Sequence, residues 1–180
     1  RLRKRLWSKL EGDLSKWPTL GYLWLDSDVE RNSISGYAEN DYFIRAIRYA
    51  KDEIIDLSMT AEHLAPYFTE TFKRKAQYDW FPAEDLEAEL HGESLIGGAR
   101  QIRPLGRLQF FHHFKSIRDK IERKLREIRD FESLSTAKDN GFACQSEGQV
   151  DIVIVGSLAG GTGAGILLRS EEHTSELQSR

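Results

Sequence analysis

Apolar residues recur at three- and four-residue spacing in several stretches of this chain, and at least one short stretch is continuously apolar. Leu2, Leu6, Trp7, Leu10 and Leu14 predict an amphipathic helix over residues 1 to 16, with Arg1, Arg3, Lys4, Arg5 and Lys9 on its wet side. Trp17-Pro18 ends that helix. Leu20 to Leu25 reads as a strand closed by Asp26-Ser27-Asp28. Residues 29 to 39 are polar and read as a loop. Asp41 to Ile55 has helical spacing, from Tyr42 and Phe43 through Ile54 and Ile55. Leu64, Tyr67, Phe68 and Phe72 suggest a helix after Pro66. Trp80-Phe81-Pro82 is an aromatic turn, and Pro82 to Leu90 reads as a short helix. These aromatics are most simply core residues.

Leu108 to Phe131 is the clearest helix, with Phe111, Phe114, Ile117, Ile121, Leu125 and Ile128 on one stripe. Ser133 to Gln149 is polar and reads as a loop with room for a weak extra element. Val150 to Val155 is β-branched and apolar, the pattern of a buried strand. It runs into Gly156-Ser-Leu-Ala-Gly-Gly-Thr-Gly-Ala-Gly165 and then Ile166-Leu167-Leu168, which reads as strand, loop and helix start. The order of elements predicts an α/β fold, a partial parallel sheet flanked by helices.

Composition narrows the function classes. Charged residues are 31% and hydrophobic residues 39%, the balance of a soluble globular protein. A net charge of -3 and a pI near 6.0 give no general basic footprint for nucleic acid. No apolar run has the length of a membrane span, and no secretory signal is visible. Cys144 is the single cysteine, which excludes an intrachain disulfide framework and suits a reducing cytoplasm. His112 and His113 are adjacent, so they cannot share a metal from one helix face. No Ser-His-Asp, Cys-His or paired-carboxylate arrangement stands out, and no cluster has metal-ligand spacing. Ser157 lacks the Gly-x-Ser-x-Gly context of a nucleophile elbow.

The glycine stretch carries the candidate chemistry. It holds five of the chain's 14 glycines. Glycines permit positive φ and leave bare N–H groups open to a ligand. A helix start behind them adds unpaired donors and the positive end of the dipole, so an anion site is expected, with phosphate the usual anion. The alternative is a tight strand-to-helix turn with no ligand. The Walker pattern fails, because no lysine lies between Asp151 and Leu168. The dinucleotide pattern fails too, because Ile166 stands where its last glycine belongs, which argues against a Rossmann-type oxidoreductase.

Ala159-Gly160-Gly161-Thr162-Gly163-Ala164-Gly165 resembles the signature loop of the tubulin and FtsZ superfamily of GTPases, small-Gly-Gly-Thr-Gly-small-Gly. A second stretch, Gly97-Gly98-Ala99-Arg100-Gln101-Ile102-Arg103-Pro104-Leu105-Gly106-Arg107, combines glycines with arginine forks suited to a polyphosphate. It is similar to the superfamily loop that meets the terminal phosphate, and its Arg-Pro-Leu-Gly-Arg element resembles a bacterial tubulin-like family. The other reading of this stretch is a loop whose arginines cap or pair with neighbouring carboxylates.

The resemblance implies a tubulin/FtsZ-type, Rossmann-like nucleotide-binding domain over residues 1–168 that takes GTP and Mg²⁺. Gly160, Gly161, Thr162, Gly163, Ala164 and Gly165 would cradle the phosphates, with Gly98, Ala99, Arg100 and Arg103 near the terminal one. Asp26 or Asp28 would lie near the ribose or the metal; both are equally readable as turn or cap residues. The implied partners are a guanine nucleotide and, in a longer protein, further copies assembled head to tail, with no nucleic acid and no membrane. Hydrolysis in tubulin and FtsZ needs an acidic loop from the next subunit. A non-hydrolysing tubulin-like scaffold is the alternative.

Arg169 to Ser179 resembles the translation of a common sequencing-adapter oligonucleotide. Residues 169–180 are therefore expected to be an artefactual tail, and the chain an internal piece of a domain incomplete at both ends.

Overall fold

The computed structural model describes residues 2–28, 48–73, 80–90, 95, 98–99, 101–142 and 149–167. The expected loop at 29–39, most of the expected helix before Arg48, Arg100, Cys144 and the tail at 169–180 lie outside these residues. Among them the architecture is helical with a small two-stranded parallel sheet, and so α/β in the coarse sense. The chain divides into two compact units. The first comprises Arg1–Trp24, Glu30–Ile54 and Arg118–Asp151; the second comprises Leu25–Val29, Ile55–Ile117 and Ile152–Arg180.

In the first unit, α1 spans Leu2–Lys9 only. The expected helix to residue 16 stops because Glu11 and Gly12 both take positive φ, 56° and 86°, which no continuing α-helix allows. A 3₁₀ turn follows at Leu14–Lys16, capped by Asp13. Arg3 is not on the wet side. Its guanidinium lies 5.0 Å from the Tyr22 ring centre and 5.4 Å from that of Tyr49, and pairs with Glu53 at 2.6 Å. Glu53 also accepts the Ala50 N–H at 2.7 Å, which closes the 3₁₀ turn Lys51–Glu53.

The strand expected at 20–25 is shorter and later: β1 is Trp24–Asp26. The helix expected to reach Ile55 is overturned at its end, where β2 occupies Ile54–Asp56. The reason is a change of period. Ile55, Leu57 and Met59 are buried while Asp56 is exposed, an alternation that suits β-branched residues on a sheet and no helix. The Leu57 N–H donates to the Asp26 carbonyl at 2.8 Å.

The second unit holds the larger core. Thr60 caps α2, Ala61–Leu64, and the chain continues through a 3₁₀ turn at Ala65–Phe68 and α3 at Glu70–Lys73. This helical run begins before Pro66, which sits in the first turn of the 3₁₀ segment, where its missing N–H is harmless. The expected short helix is present as α4, Ala83–Leu90. Its Leu86 and Leu90 pack with Met59, Leu64, Phe72, Phe81, Leu95, Leu105 and Leu108, and Tyr67, Phe68 and Trp80 close over them. The aromatic stretch is core, as its composition suggests. Met59 and Leu95 exchange backbone bonds in an antiparallel bridge.

The long helix α5 spans Arg103–Arg129, five residues earlier than its apolar stripe predicts. Arg103 to Arg107 therefore forms its first turn and is not a loop. Pro104 fits there, since the first-turn N–H groups are unpaired anyway. The stripe is also shifted: Leu105, Leu108, Phe110 and Ile117 are buried, whereas Phe111 is 42% exposed. The polar stretch expected as a loop contains α6, Phe131–Asp139, capped by Asp130 through the Ser133 N–H at 3.2 Å.

The strand expected at Val150–Val155 is overturned. Among the described residues no strand pairs with it, and Val153 and Val155 are 81% and 86% exposed. A β-branched run forms a strand only where a ladder partner satisfies its backbone.

His112 is flanked by the rings of His63 and His113, at 5.1 Å and 4.8 Å, and its Nδ1 meets the Tyr67 hydroxyl at 2.8 Å. Burial, then the charges of His113 and His63, lower its pKa below the usual histidine value. The folded protein thus binds fewer protons than the unfolded chain just below that value. Stability is full above it and falls with pH through the folded value. The melting temperature should drop between about pH 7.5 and about pH 5.5, and His112→Gln should flatten that drop in a pH series of thermal melts. An unchanged profile in the variant would remove His112 as the cause.

Candidate functional site

The site is built in the second unit from three pieces: the first turns of α5, the helix at residues 161–167, and the end of β1. The first two lie backbone against backbone. A Cβ on Gly106 would overlap the Gly161 carbonyl oxygen and come within 2.9 Å of the Thr162 Cα. One on Gly161 would sit 2.7 Å from both the Ala99 carbonyl oxygen and the Ile102 nitrogen. One on Gly165 would sit 2.5 Å from the Arg107 nitrogen and 2.6 Å from the Arg103 carbonyl oxygen. A Cβ on Gly163 would overlap the Ser157 carbonyl oxygen, where the loop folds back over the helix start. None of these glycines has positive φ among the described residues. They are glycine because two backbones touch there, and any side chain would force them apart.

Gly160 is different. A Cβ there would meet nothing within 4 Å. It stands at the mouth of the helix start, and the Ala164 N–H closes the first helical bond onto its carbonyl at 3.1 Å. The N–H groups of Gly161, Thr162 and Gly163 precede that bond, as the first donors of a helix do. A helix start with open space at Gly160 is the kind of arrangement that can receive an anion.

The end of β1 reaches this loop through a residue the sequence did not flag. Asp26 Oδ1 accepts the N–H of Ser27 at 2.8 Å and that of Asp28 at 3.3 Å, an Asx turn. Ser27 is only 2% exposed, and its hydroxyl lies 3.0 Å from that of Thr162. Asp26 and Thr162 are thus joined through Ser27. The only sequence signal for Ser27 was its place between two carboxylates at a strand end.

The arginine stretch is partly brought in. Gly98, at φ 124°, and Ala99, 2% exposed, precede a tight turn in which the Ile102 N–H donates to the Ala99 carbonyl at 2.8 Å. Gln101 takes φ 64° in that turn, an uncommon conformation for a side-chain-bearing residue. Arg103 is exposed, and its carbonyl oxygen lies against Gly165. The Arg107 guanidinium lies 4.2 Å from the Trp80 ring centre, directed at the aromatic core. Arg100 lies outside the described residues.

Among the described residues no group of three or more His, Cys, Asp or Glu is placed to hold a metal. Among them, too, no helix is long and apolar enough to cross a membrane.

A sequence-family profile described as tubulin-like matches residues 1–170. No curated protein and no solved structure matches the chain.

The glycines divide into two kinds, and alanine substitution should separate them. Gly106→Ala and Gly161→Ala should each destabilise the chain by at least about 2 kcal/mol in urea unfolding, since backbone must move to admit the methyl. Gly160→Ala should stay within about 0.5 kcal/mol of the parent. Equal losses at all three positions would refute the division.

Proposed function

Since the chain belongs to the tubulin-like family, we propose that it binds GTP at the loop of residues 156–165 with the phosphates at the helix start. One observation carries the reading: the open space at Gly160, beside a helix start whose first bonded N–H is that of Ala164. The N–H groups ahead of that bond suit a phosphate as donors and by dipole. The Thr162 hydroxyl adds a fourth donor. The residues Gly161, Gly163, Ala164 and Gly165 support the site by packing, and Gly98, Ala99 and Arg103 shape and charge its rim. The choice of guanine rests on the family resemblance and on no residue of the described site.

Mg²⁺ in such a site is held largely by phosphate oxygens and water, with one or two carboxylates. Asp26 and Asp28 are the acids that the end of β1 offers. Asp26 Oδ1 serves the turn, which leaves Oδ2 for a metal-bound water. When bound, the metal would neutralise phosphate charge. The chain's own part is to present donors and to hold Thr162. Head-to-tail assembly in the cytoplasm, with hydrolysis completed by an acidic loop of the next subunit, extends the proposal as the family resemblance implies.

Titration with a fluorescent GTP analogue tests the reading. The chain should bind it saturably, and Gly160→Ala should weaken binding about tenfold while leaving the melting temperature unchanged. Binding unaffected by that methyl would place the nucleotide elsewhere. Phosphate release from GTP by this chain alone should not exceed the buffer control; a measurable turnover would refute the need for a neighbouring acidic loop.

A further inference from the structure

We propose that Ser27 is a positioning residue that aims the Thr162 hydroxyl into the anion site. The inference rests on the nucleotide reading above and extends it to a residue outside the glycine loop. A threonine in the first turn of a helix ordinarily turns its hydroxyl onto nearby backbone. Here the Thr162 hydroxyl lies 3.0 Å from Ser27 Oγ instead. Ser27 is itself held. Its N–H is fixed by Asp26 Oδ1, and the Asp26 carbonyl is fixed by the Leu57 N–H. With 2% exposure, its hydroxyl has little access to water as a competing partner.

The proton count sets the direction of the pair. Each hydroxyl has one proton and two acceptor positions. For Thr162 to donate to an anion, its proton must point away from Ser27. The Ser27 proton then makes the bond between the two oxygens. The chain runs from Ser27 to Thr162 to the anion, and each bond polarises the next. Removing the Ser27 hydroxyl leaves Thr162 free to turn back to the backbone.

The test uses this chain with Ser27→Ala, Ser27→Cys, Thr162→Val and the Ser27→Ala/Thr162→Val double variant. It reads GTP affinity by titration and, without nucleotide, amide hydrogen exchange over residues 161–164. Ser27→Ala should weaken GTP about tenfold and speed exchange. In the Thr162→Val background it should change affinity by less than about twofold, because the two hydroxyls act as one unit. Ser27→Cys keeps the volume and should shift both readouts in the same direction, which separates a lost proton donor from a cavity. Wild-type affinity in Ser27→Ala would overturn the inference, as would the same loss in both backgrounds. If the wild-type chain takes up no GTP, the nucleotide reading fails and exchange alone decides. Faster exchange in Ser27→Ala then supports the positioning of Thr162, and unchanged exchange overturns it.

Discussion

The contact between the α5 start and the helix at residues 161–167 has no room for a side chain, and the candidate site depends on it. Gly106 lies against the Gly161 carbonyl and the Thr162 Cα, and Gly165 against the Arg103 and Arg107 backbone. Such an approach brings dipoles and van der Waals surfaces together at a spacing that only glycine permits. It also fixes where the helix start points. Once Gly161 is seated on the turn at Ala99–Ile102, Thr162 is committed to one direction, and Ser27 stands 3.0 Å from it. The large apolar cluster of the same unit supports this from behind, through Ala99, Ile102, Leu105 and Leu108.

A glycine-rich signature therefore encodes two separate requirements. Gly161, Gly163 and Gly165 satisfy packing constraints, and Gly160 alone faces open space. Packing accounts for the first three, and under the nucleotide reading a closely approaching ligand would account for the fourth, so the sequence motif looks uniform although the physics is not. A ligand explanation for every glycine in the loop would miscount its donors. Under the nucleotide reading the useful donors would be the backbone N–H groups ahead of the first helical bond, and they would depend on the helix being held in place rather than on glycine flexibility.

The pattern of residues made some of this legible. Helices at Ala83–Leu90 and within Arg103–Arg129 follow from period and length, and the aromatic stretch reads correctly as core. The misses have local causes. Ile54 and Ile55 fit the end of a helical pattern, but Ile55, Leu57 and Met59 then alternate with polar residues, and the burial follows the second period. Arg3 carries the charge of a solvated face yet lies against two tyrosine rings and pairs with Glu53, 50 positions away. No window of sequence contains both partners. Val150–Val155 has strand composition without a ladder among the described residues, and composition alone cannot supply the second strand. Of the site, the glycine loop was legible and Ser27 was not. A serine announces nothing until its neighbour Thr162, 135 residues later, is beside it.

Under the nucleotide reading, the balance between backbone donors and arginines sets how the site would respond to its surroundings. Arg107 is engaged by the Trp80 ring, so its charge is already directed at the aromatic core. Arg103 is exposed, and a charge in that position is screened within about 8 Å at physiological salt. Local N–H groups act at contact distance and carry no titratable proton, so neither salt nor pH near neutrality removes them. The same holds for two hydroxyls. A site made this way would take its specificity for an anion from the fixed positions of Gly161, Thr162 and Gly163. Those positions follow from the backbone contact at Gly106. Under that reading, the absence of a side chain at Gly106 would matter more to phosphate recognition than the presence of a guanidinium at Arg103, although only the arginine looks like a phosphate ligand.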